Sequence, residues 1–279
     1  MSIDYDLPVA PDRVIRGTIE LPPEDRRPAP VVLFCHGFKG FKDWGGWPWL
    51  TRGRAEEGFL VNRFNFSLAG VGACLDRHDE PEKFARNTYG AELEDLHALI
   101  EARDRWGVPA GTMGEGLGIV GHSRGGMVSL LFAAEEPAVE ALVTISSPGQ
   151  SDRFPEELKV EWRARGVHEV VNARTGEVLP MDVSILDDYE ENRERYDVGR
   201  AVTARHVPTL ILHGDEDESV EVVEAQLLHG AIPHDRKELR VLEGTGHTLG
   251  TVQPFAGATP HLEEALHHAS RWLSEHLTR

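Results

Sequence analysis

The pentapeptide Gly121-His122-Ser123-Arg124-Gly125 decides how this chain is expected to fold. It follows a short apolar run at 117–120 and precedes a helix-like run at 126–136. Because glycine lacks a Cβ, the two glycines allow a strand and a helix to approach closely at a sharp turn. The pattern therefore predicts a strand-turn-helix junction with the hydroxyl of Ser123 exposed at its apex.

Short β-like runs alternate with longer helix-like runs on both sides of this turn. The strand candidates are 14–20, 31–35, 59–66, 117–121, 141–145, 209–212 and 239–242, and the main helix candidates are 87–106, 126–136, 220–228 and 261–277. Continuous apolar strands separated by helices predict the α/β class, with a mostly parallel central sheet that is covered by helices on both faces. The length of 279 residues fits one large α/β domain as well as two small ones, and we expect a single domain, 1–279.

The segment 150–206 breaks this alternation because it is polar and rich in Arg and Glu. Within it, 172–177 predicts a hairpin turn and 187–196 predicts a charged helix. We expect a small cap insertion above the strand ends. The alternative is a surface excursion that makes no substrate contact.

The charge balance is strongly acidic, with 47 acidic against 29 basic residues and a net charge of −18. Such a surface disfavours nucleic acid and anionic membranes as partners, and it would slow the approach of highly anionic substrates. The two cysteines, Cys35 and Cys74, form no Cys-x-x-Cys pattern. Neither a disulfide framework nor a structural zinc site is therefore expected.

Membrane and export signals are not expected from the sequence. No apolar run approaches the roughly 18–20 residues that a membrane helix needs. The first residues, Met-Ser-Ile-Asp-Tyr-Asp, lack a basic region followed by an apolar stretch. We therefore expect a cytoplasmic protein without integral membrane contact.

A serine hydroxyl needs a base within hydrogen-bond reach and a third group that orients the base. His247 is the candidate base, since it lies in a glycine-flanked loop directly after the strand candidate 239–242. The acid is expected in the loop 215–218, which follows the strand candidate 209–212. Four acidic residues crowd that loop, and charge alone does not select between Asp215 and Asp217.

Attack on a carbonyl group also needs two N–H donors for the oxygen that becomes negatively charged. One candidate is the backbone N–H of Arg124, directly after Ser123. The other is the backbone N–H of Phe38, in the loop 36–40 after the first long apolar strand. We expect His36 to hold this loop by hydrogen bonding rather than to transfer protons.

These residues resemble the α/β-hydrolase superfamily over nearly the full length, from about residue 13 to the last helix. The order of Ser123, an acid and His247 matches the order of nucleophile, acid and base in that superfamily. The spacing of His213-Gly214-x-x-Asp217 is also similar, and this resemblance favours Asp217 over Asp215 as the acid.

Within the superfamily, 36–40 and 63–66 are similar to bacterial carboxylesterases of the cinnamoyl/feruloyl esterase and serine-aminopeptidase-like (monoacylglycerol-lipase-like) group. The loop 36–40 departs from the His-Gly-Gly-Gly pattern of hormone-sensitive-lipase-type esterases. The resemblance therefore argues against the bulky tertiary-alcohol esters that those enzymes accept.

The resemblance implies a serine carboxylesterase that cleaves a small-molecule ester by two-step acyl transfer, without a metal or organic cofactor, as a monomer or homodimer. The alternatives are an amidase or peptidase, a thioesterase or a lactone hydrolase on the same scaffold. A non-catalytic ligand-binding protein with this fold is an alternative from another class. The side chain of Arg124 is expected either to form a salt bridge or to contact substrate.

An aromatic cluster follows the loop 36–40. Phe41, Trp44, Trp47 and Trp49 fall within nine residues of one another. Trp44 and Trp47 are candidates for lining an acyl pocket. The alternative is a helix that packs these rings into the core.

Overall fold

A central sheet organises the computed structural model, which describes residues 1–74, 76–172 and 176–278. The strands in these residues are β1 (Ser2–Ala10), β2 (Arg13–Glu20), β3 (Ala29–Cys35), β4 (Leu60–Asn65), β5 (Met113–His122), β6 (Val139–Ile145), β7 (Val167–Val171), β8 (Val178–Asp182), β9 (Thr209–Gly214) and β10 (Lys237–Leu242). Eight of them form one sheet in the order β1-β2-β4-β3-β5-β6-β9-β10. Neighbours pair in parallel from β4 to β10, and β1 and β2 pair antiparallel at one edge. The predicted mostly parallel sheet is confirmed.

Helices cover both faces of this sheet. They are α1 (Trp47–Glu56), α2 (Pro81–Phe84), α3 (Tyr89–Glu101), α4 (Arg124–Glu135), α5 (Glu156–Arg165), α6 (Ser184–Glu191), α7 (Val198–Ala204), α8 (Val222–Ala231) and α9 (Pro260–His276). Buried residues of α3, α4, α7 and α8 pack on one face, and those of α1 and α9 pack on the other. The prediction of helices on both faces is confirmed.

Strand β3 is buried on both faces, which explains its uninterrupted apolar sequence. Leu33 and Cys35 point into the core on one face, whereas Val32 and Phe34 point into the core on the other. Successive side chains of a strand alternate between faces, so a strand that is covered twice must be apolar at every position. All seven residues of β3 are buried, and full burial of one large apolar side chain contributes roughly 1.5–3 kcal/mol.

The edge strand β1 and the helix α6 differ from the sequence prediction for clear physical reasons. The edge strand β1 is half-exposed and has no continuous apolar run, so its periodicity did not reveal it. The predicted helix 187–196 begins earlier, at Ser184, because Ile185 and Leu186 pack into a small apolar cluster. It ends at Glu191, and α7 starts anew where the Asp197 side chain caps the N–H of Arg200.

The segment between β6 and β9 lies outside the central sheet. It contains α5, the antiparallel pair β7–β8, α6 and α7. Trp162 of α5 and Met181 of β8 pack in a separate apolar cluster with Phe84 of α2. The predicted turn 172–177 includes residues 173–175, which lie outside the described residues.

The turn between β5 and α4 depends on two glycines. A Cβ on Gly121 would lie 2.5 Å from the carbonyl oxygen of Gly125, and a Cβ on Gly125 would lie 2.4 Å from the carbonyl oxygens of Cys35 and His36. Real side chains do not tolerate such contacts with backbone atoms. The close approach of β3, β5 and α4 therefore requires glycine at both positions.

We predict that Gly125→Ala lowers the free energy of unfolding by about 1–3 kcal/mol, because the new methyl group must displace backbone atoms of β3 and its following loop. Urea unfolding monitored by far-UV circular dichroism measures this loss. Gly230→Ala is the matched control, since Gly230 lies in α8 with no atom within 4 Å of its would-be Cβ. Unchanged stability in Gly125→Ala would contradict the close approach.

Candidate active site

Ser123 lies between the last residue of β5 and the first residue of α4. Its backbone has φ 53° and ψ −126°, a conformation that residues other than glycine rarely adopt. The N–H of Ser123 donates to the carbonyl oxygen of Ile145 at the end of β6, which holds the turn against the sheet. The turn places Ser123 on the wall of a cavity of about 340 Å³. Backbone strain that the surrounding structure maintains is a frequent feature of functional sites.

His247 and Asp217 form a hydrogen-bonded pair on the loops after β10 and β9. Nδ1 of His247 lies 2.8 Å from Oδ2 and 3.1 Å from Oδ1 of Asp217. The backbone N–H groups of Ser219 and Val220 each donate to Oδ1 of Asp217 at 2.9 Å. The carboxylate is therefore held in one orientation and directs the other ring nitrogen of His247 away from itself.

The environment of Asp217 favours its ionised form. Burial is the largest influence and by itself would raise the pKa of this carboxyl. The hydrogen bond and charge of His247, together with the N–H groups of Val220 and Ser219, outweigh burial and hold the pKa below its ordinary value of 3.8. Asp217 is thus a carboxylate at neutral pH.

Ser123 and His247 line the same cavity. The side chain of His122, the residue before Ser123, is hydrogen-bonded to the backbone of His247. Nε2 of His122 donates to the carbonyl oxygen of His247 at 2.9 Å, and the two rings pack with centroids 4.9 Å apart. Because a carbonyl oxygen only accepts, His122 carries its proton on Nε2 in this contact. The residue before the serine therefore positions the histidine loop.

The loop 36–40 runs directly beside Ser123. A Cβ on Gly37 would lie 2.9 Å from Cβ of Ser123, so only glycine allows this approach. Nδ1 of His36 donates to the carbonyl oxygen of Gly37 at 2.9 Å, and its Nε2 accepts from the N–H of Phe66 at 3.3 Å. Burial lowers the pKa of His36 to about 4, so the ring is neutral. His36 thereby holds the loop that carries Phe38.

The residues of both candidate oxyanion donors lie on the wall of the cavity beside Ser123. Phe38 and Arg124 both line the cavity with Ser123. The N–H of Arg124 belongs to the first turn of α4, where amides have no partner within the helix. The positive end of the helix dipole lies at the same place and favours negative charge.

The side chain of Arg124 forms a salt bridge and also lines the cavity. Its Nε lies 3.0 Å from a carboxylate oxygen of Glu92, and its Nη2 donates to the carbonyl oxygen of Asn87 at 3.0 Å. The guanidinium carbon lies 4.5 Å from the centre of the Tyr89 ring. The salt bridge that the sequence left open for this side chain is therefore present. Contact of the side chain with substrate stays a prediction.

Trp44 and Trp47 are not among the described residues that line the cavity. Both are buried in the core on the α1 and α9 face of the sheet. The Trp47 ring packs 5.3 Å from Phe34 and 4.7 Å from His122, on the far side of the serine turn. Both rings therefore pack into the core, Trp47 as the first residue of α1 and Trp44 just before that helix. Core packing is the alternative that the sequence left open.

Other residues form the cavity wall instead. The aromatic ones are Phe38, Tyr89 and Phe154, and the polar ones from the segment 150–206 are Arg153 and Asn172. By sequence, Tyr89 is only one position of the helix candidate 87–106, and the polar segment 150–206 has no pattern that marks single positions. Apart from Phe38, whose backbone N–H is a predicted oxyanion donor, no sequence signal placed these residues at the serine.

Residues 1–74, 76–172 and 176–278 contain no group of three or more His, Cys, Asp or Glu side chains arranged to hold a metal ion. Over the same residues, no helix combines the length and apolar character needed to cross a bilayer.

Known structures resemble this chain along nearly its whole length. Est1E from Butyrivibrio proteoclasticus with bound ferulic acid has a TM-score of 0.72 and 19% identity, over 98% of each chain. The esterase domain of a Rhodothermus marinus protein has a TM-score of 0.66 and 20% identity, over 99% of each chain. The alpha/beta hydrolase GrgF from a Penicillium species has a TM-score of 0.71 and 17% identity, over 99% of each chain. At these identities the likeness shows a shared fold.

Sequence comparison identifies the family. No curated protein matches the chain significantly. The sequence model that is described as the alpha/beta hydrolase family matches residues 32–258, which is well over half of the chain. This match spans the serine turn and the loops that carry Asp217 and His247. The protein therefore belongs to the alpha/beta hydrolase family.

Proposed function

We propose that this protein is a serine hydrolase that cleaves carboxylic esters through an acyl-enzyme. The observation that carries the proposal is the position of Ser123, on a strained turn that faces the same cavity as the His247–Asp217 pair. The pair supplies a base with a fixed orientation, and the turn supplies a hydroxyl nucleophile. A protein that only binds a ligand would not need a nucleophile, a base and an acid at one site.

In the proposed reaction, Oγ of Ser123 attacks the ester carbonyl carbon while Nε2 of His247 takes the hydroxyl proton. The N–H groups of Phe38 and Arg124 stabilise the resulting oxyanion, and each such donor contributes on the order of 10²–10³-fold in rate. His247 then protonates the departing alcohol. Water repeats the sequence on the acyl-enzyme and releases the acid. Asp217 stabilises the histidine while it carries the extra proton.

Ester cleavage is favoured among the hydrolase reactions by the similar structures. Est1E is described with ferulic acid bound, and the Rhodothermus marinus domain is described as an esterase. The aromatic rings of Phe38, Tyr89 and Phe154 on the cavity wall suit an acyl group with apolar surface.

We further propose that the segment 150–206 acts as a cap of the one domain 1–279. Arg153, Phe154 and Asn172 of this segment line the cavity. Nζ of Lys39, from the loop beside Ser123, donates to the carbonyl oxygen of Val171 at 3.0 Å. These contacts support a cap that encloses substrate rather than a surface excursion.

Replacing the nucleophile or the base tests this proposal most directly. We expect Ser123→Ala and His247→Ala each to lower the hydrolysis rate of p-nitrophenyl acetate by about 10³-fold or more, because these groups act as one unit. A fluorophosphonate probe should label the wild type and leave Ser123→Ala unlabelled. Far-UV circular dichroism checks that both variants fold.

Ser274→Ala is the matched control for this experiment, since Ser274 is exposed on α9. It should keep both activity and labelling. Turnover at the wild-type rate in Ser123→Ala or His247→Ala would overturn the proposal. Full labelling of Ser123 without ester turnover would redirect it to amides, thioesters or lactones.

The choice of acid is tested by a pair of substitutions. Asp217→Asn should lower the turnover number for p-nitrophenyl acetate by about 10³–10⁴-fold, because an amide no longer orients His247 correctly. Asp215→Asn should keep most of the activity, since the exposed carboxylate of Asp215 accepts from the N–H of Gly244 at 2.7 Å. Loss of activity in Asp215→Asn alone would show that the assignment is wrong.

The lowered pKa of Asp217 also predicts how stability depends on pH. A carboxyl whose pKa is lower in the folded state stabilises the protein above its ordinary pKa of 3.8, and this contribution disappears as the pH falls through the folded-state value. The difference in Tm between wild type and Asp217→Asn should therefore be largest near neutral pH and shrink in acid. A difference that grows as the pH falls below 3.8 would contradict the sign of this shift.

A further inference from the structure

The charged side chains that line the cavity beside Ser123 are opposite in sign to the net charge of the protein. The chain carries a net charge of −18. Among the described residues that line this cavity, however, the charged side chains are Lys39, Arg124 and Arg153, and no Asp or Glu is present. A strongly acidic chain thus presents only basic side chains at the place where substrate is expected to bind.

The guanidinium of Arg124 is held rigidly from behind. Glu92, whose side chain is only 4% exposed, pairs with Nε, and the carbonyl oxygen of Asn87 accepts from Nη2. The Tyr89 ring covers one face of the group. Within the described part of the chain, no hydrogen bond uses Nη1 of Arg124. The carboxylate therefore orients the cation and leaves one donor group unused.

Arg153 is also held by a carboxylate and a backbone carbonyl group. Its Nη1 lies 2.6 and 2.7 Å from the two carboxylate oxygens of Glu224, on α8. Its Nη2 donates to the carbonyl oxygen of Ser219 at 3.3 Å, and Glu224 also accepts from the N–H of Gly149 at 3.0 Å. Glu224 does not line the cavity, whereas Arg153 does.

Lys39 adds a third positive charge at the rim. Its Nζ donates to the carbonyl oxygen of Val171 at 3.0 Å and lies 5.7 Å from the centre of the Phe38 ring. An adjoining small cavity shares Tyr89, Arg124 and Phe154 with the main one and includes Asp152. That carboxylate lies 2.7 Å from Nζ of Lys159 and is therefore already paired.

From this arrangement we propose that the cavity binds an ester that carries a carboxylate group away from its scissile bond, with the carboxylate between Arg124 and Arg153. The inference rests on the proposed esterase function and names the substrate class for that same site. Guanidinium groups that other residues hold in place match the two oxygens of a carboxylate and lose little freedom on binding it.

An ester without a carboxylate would offer no charged partner to the arginine donors on the cavity wall. Filling the cavity expels water from the arginine donors, and donors that lose water without a new partner cost free energy. A carboxylate replaces that water with charge-assisted hydrogen bonds. The cavity volume of about 340 Å³ accommodates a small ester of this kind.

Matched esters test the inference. Monoethyl adipate carries its carboxylate on the acyl side, and ethyl hexanoate is its neutral counterpart. 3-Carboxypropyl butyrate carries the carboxylate on the alcohol side, and pentyl butyrate is its neutral counterpart. We expect kcat/KM for at least one anionic ester to exceed that for its counterpart by about tenfold. The preferred pair shows which side of the ester faces the arginines.

Charge variants separate electrostatics from packing. Arg153→Gln should lower the anionic-to-neutral ratio of kcat/KM by about five- to tenfold, and Arg153→Lys should lower it less, because charge remains without the planar fork. Glu224→Gln should raise the ratio, since it removes the neutralising charge and keeps a similar shape. Arg271→Gln is the matched control, because Arg271 is exposed on α9 and pairs with Glu238. It should leave the ratio unchanged.

The outcomes distinguish this inference from the proposed function. Hydrolysis of the neutral esters that depends on Ser123, without preference for either anionic ester, would overturn the inference and leave the esterase proposal intact. An unchanged ratio in both Arg153→Gln and Glu224→Gln would also overturn it. Calorimetric binding of adipate to the folded protein provides a readout that needs no turnover. Binding that weakens at least fivefold in Arg153→Gln supports the anion site even if no ester is cleaved, and binding that is equal in both proteins contradicts it.

Discussion

The contact between the serine turn and the end of β3 is the constraint on which the rest of the site depends. Gly125 approaches the carbonyl oxygens of Cys35 and His36 so closely that no Cβ fits between them. This packing holds the first turn of α4 against the loop that carries Phe38. The same approach keeps Gly37 in contact with Ser123. Because Gly125 and Gly37 have no side chain, the proposed nucleophile and both proposed oxyanion donors lie close together.

Parallel pairing extends this constraint to the other loops. Strands β3, β5, β9 and β10 run in the same direction, so the loops that follow them lie together at the carboxyl ends of the strands. His122 ties the serine turn to the His247 loop, and backbone N–H groups fix Asp217 on the neighbouring loop. The groups of the proposed triad are thus held by backbone contacts of a rigid scaffold, which favours a preorganised site.

The charges of this protein act on two length scales. The net charge of −18 would repel an anion at long range, as the composition predicts. Salt screens such exposed charges over about 10 Å at 0.1 M, whereas Arg124 and Arg153 act at contact distance inside a cavity. Their partners Glu92 and Glu224 orient them from behind and do not line that cavity. Local arrangement therefore decides which ligands the proposed site favours, and bulk charge does not.

The sequence by itself determined the serine turn and the sheet apart from its edge strand β1. Doubly buried strands must be continuously apolar and a sharp strand-helix turn needs glycine, whereas the half-exposed strand β1 has no continuous apolar run. The sequence located the loops of His247 and Asp217 by their place after strands, but it could not separate Asp217 from Asp215 without family resemblance. Only the tertiary structure decided that Trp47 packs into the core and that Arg153 reaches the cavity. These outcomes depend on contacts between residues far apart in the chain, which local periodicity does not encode.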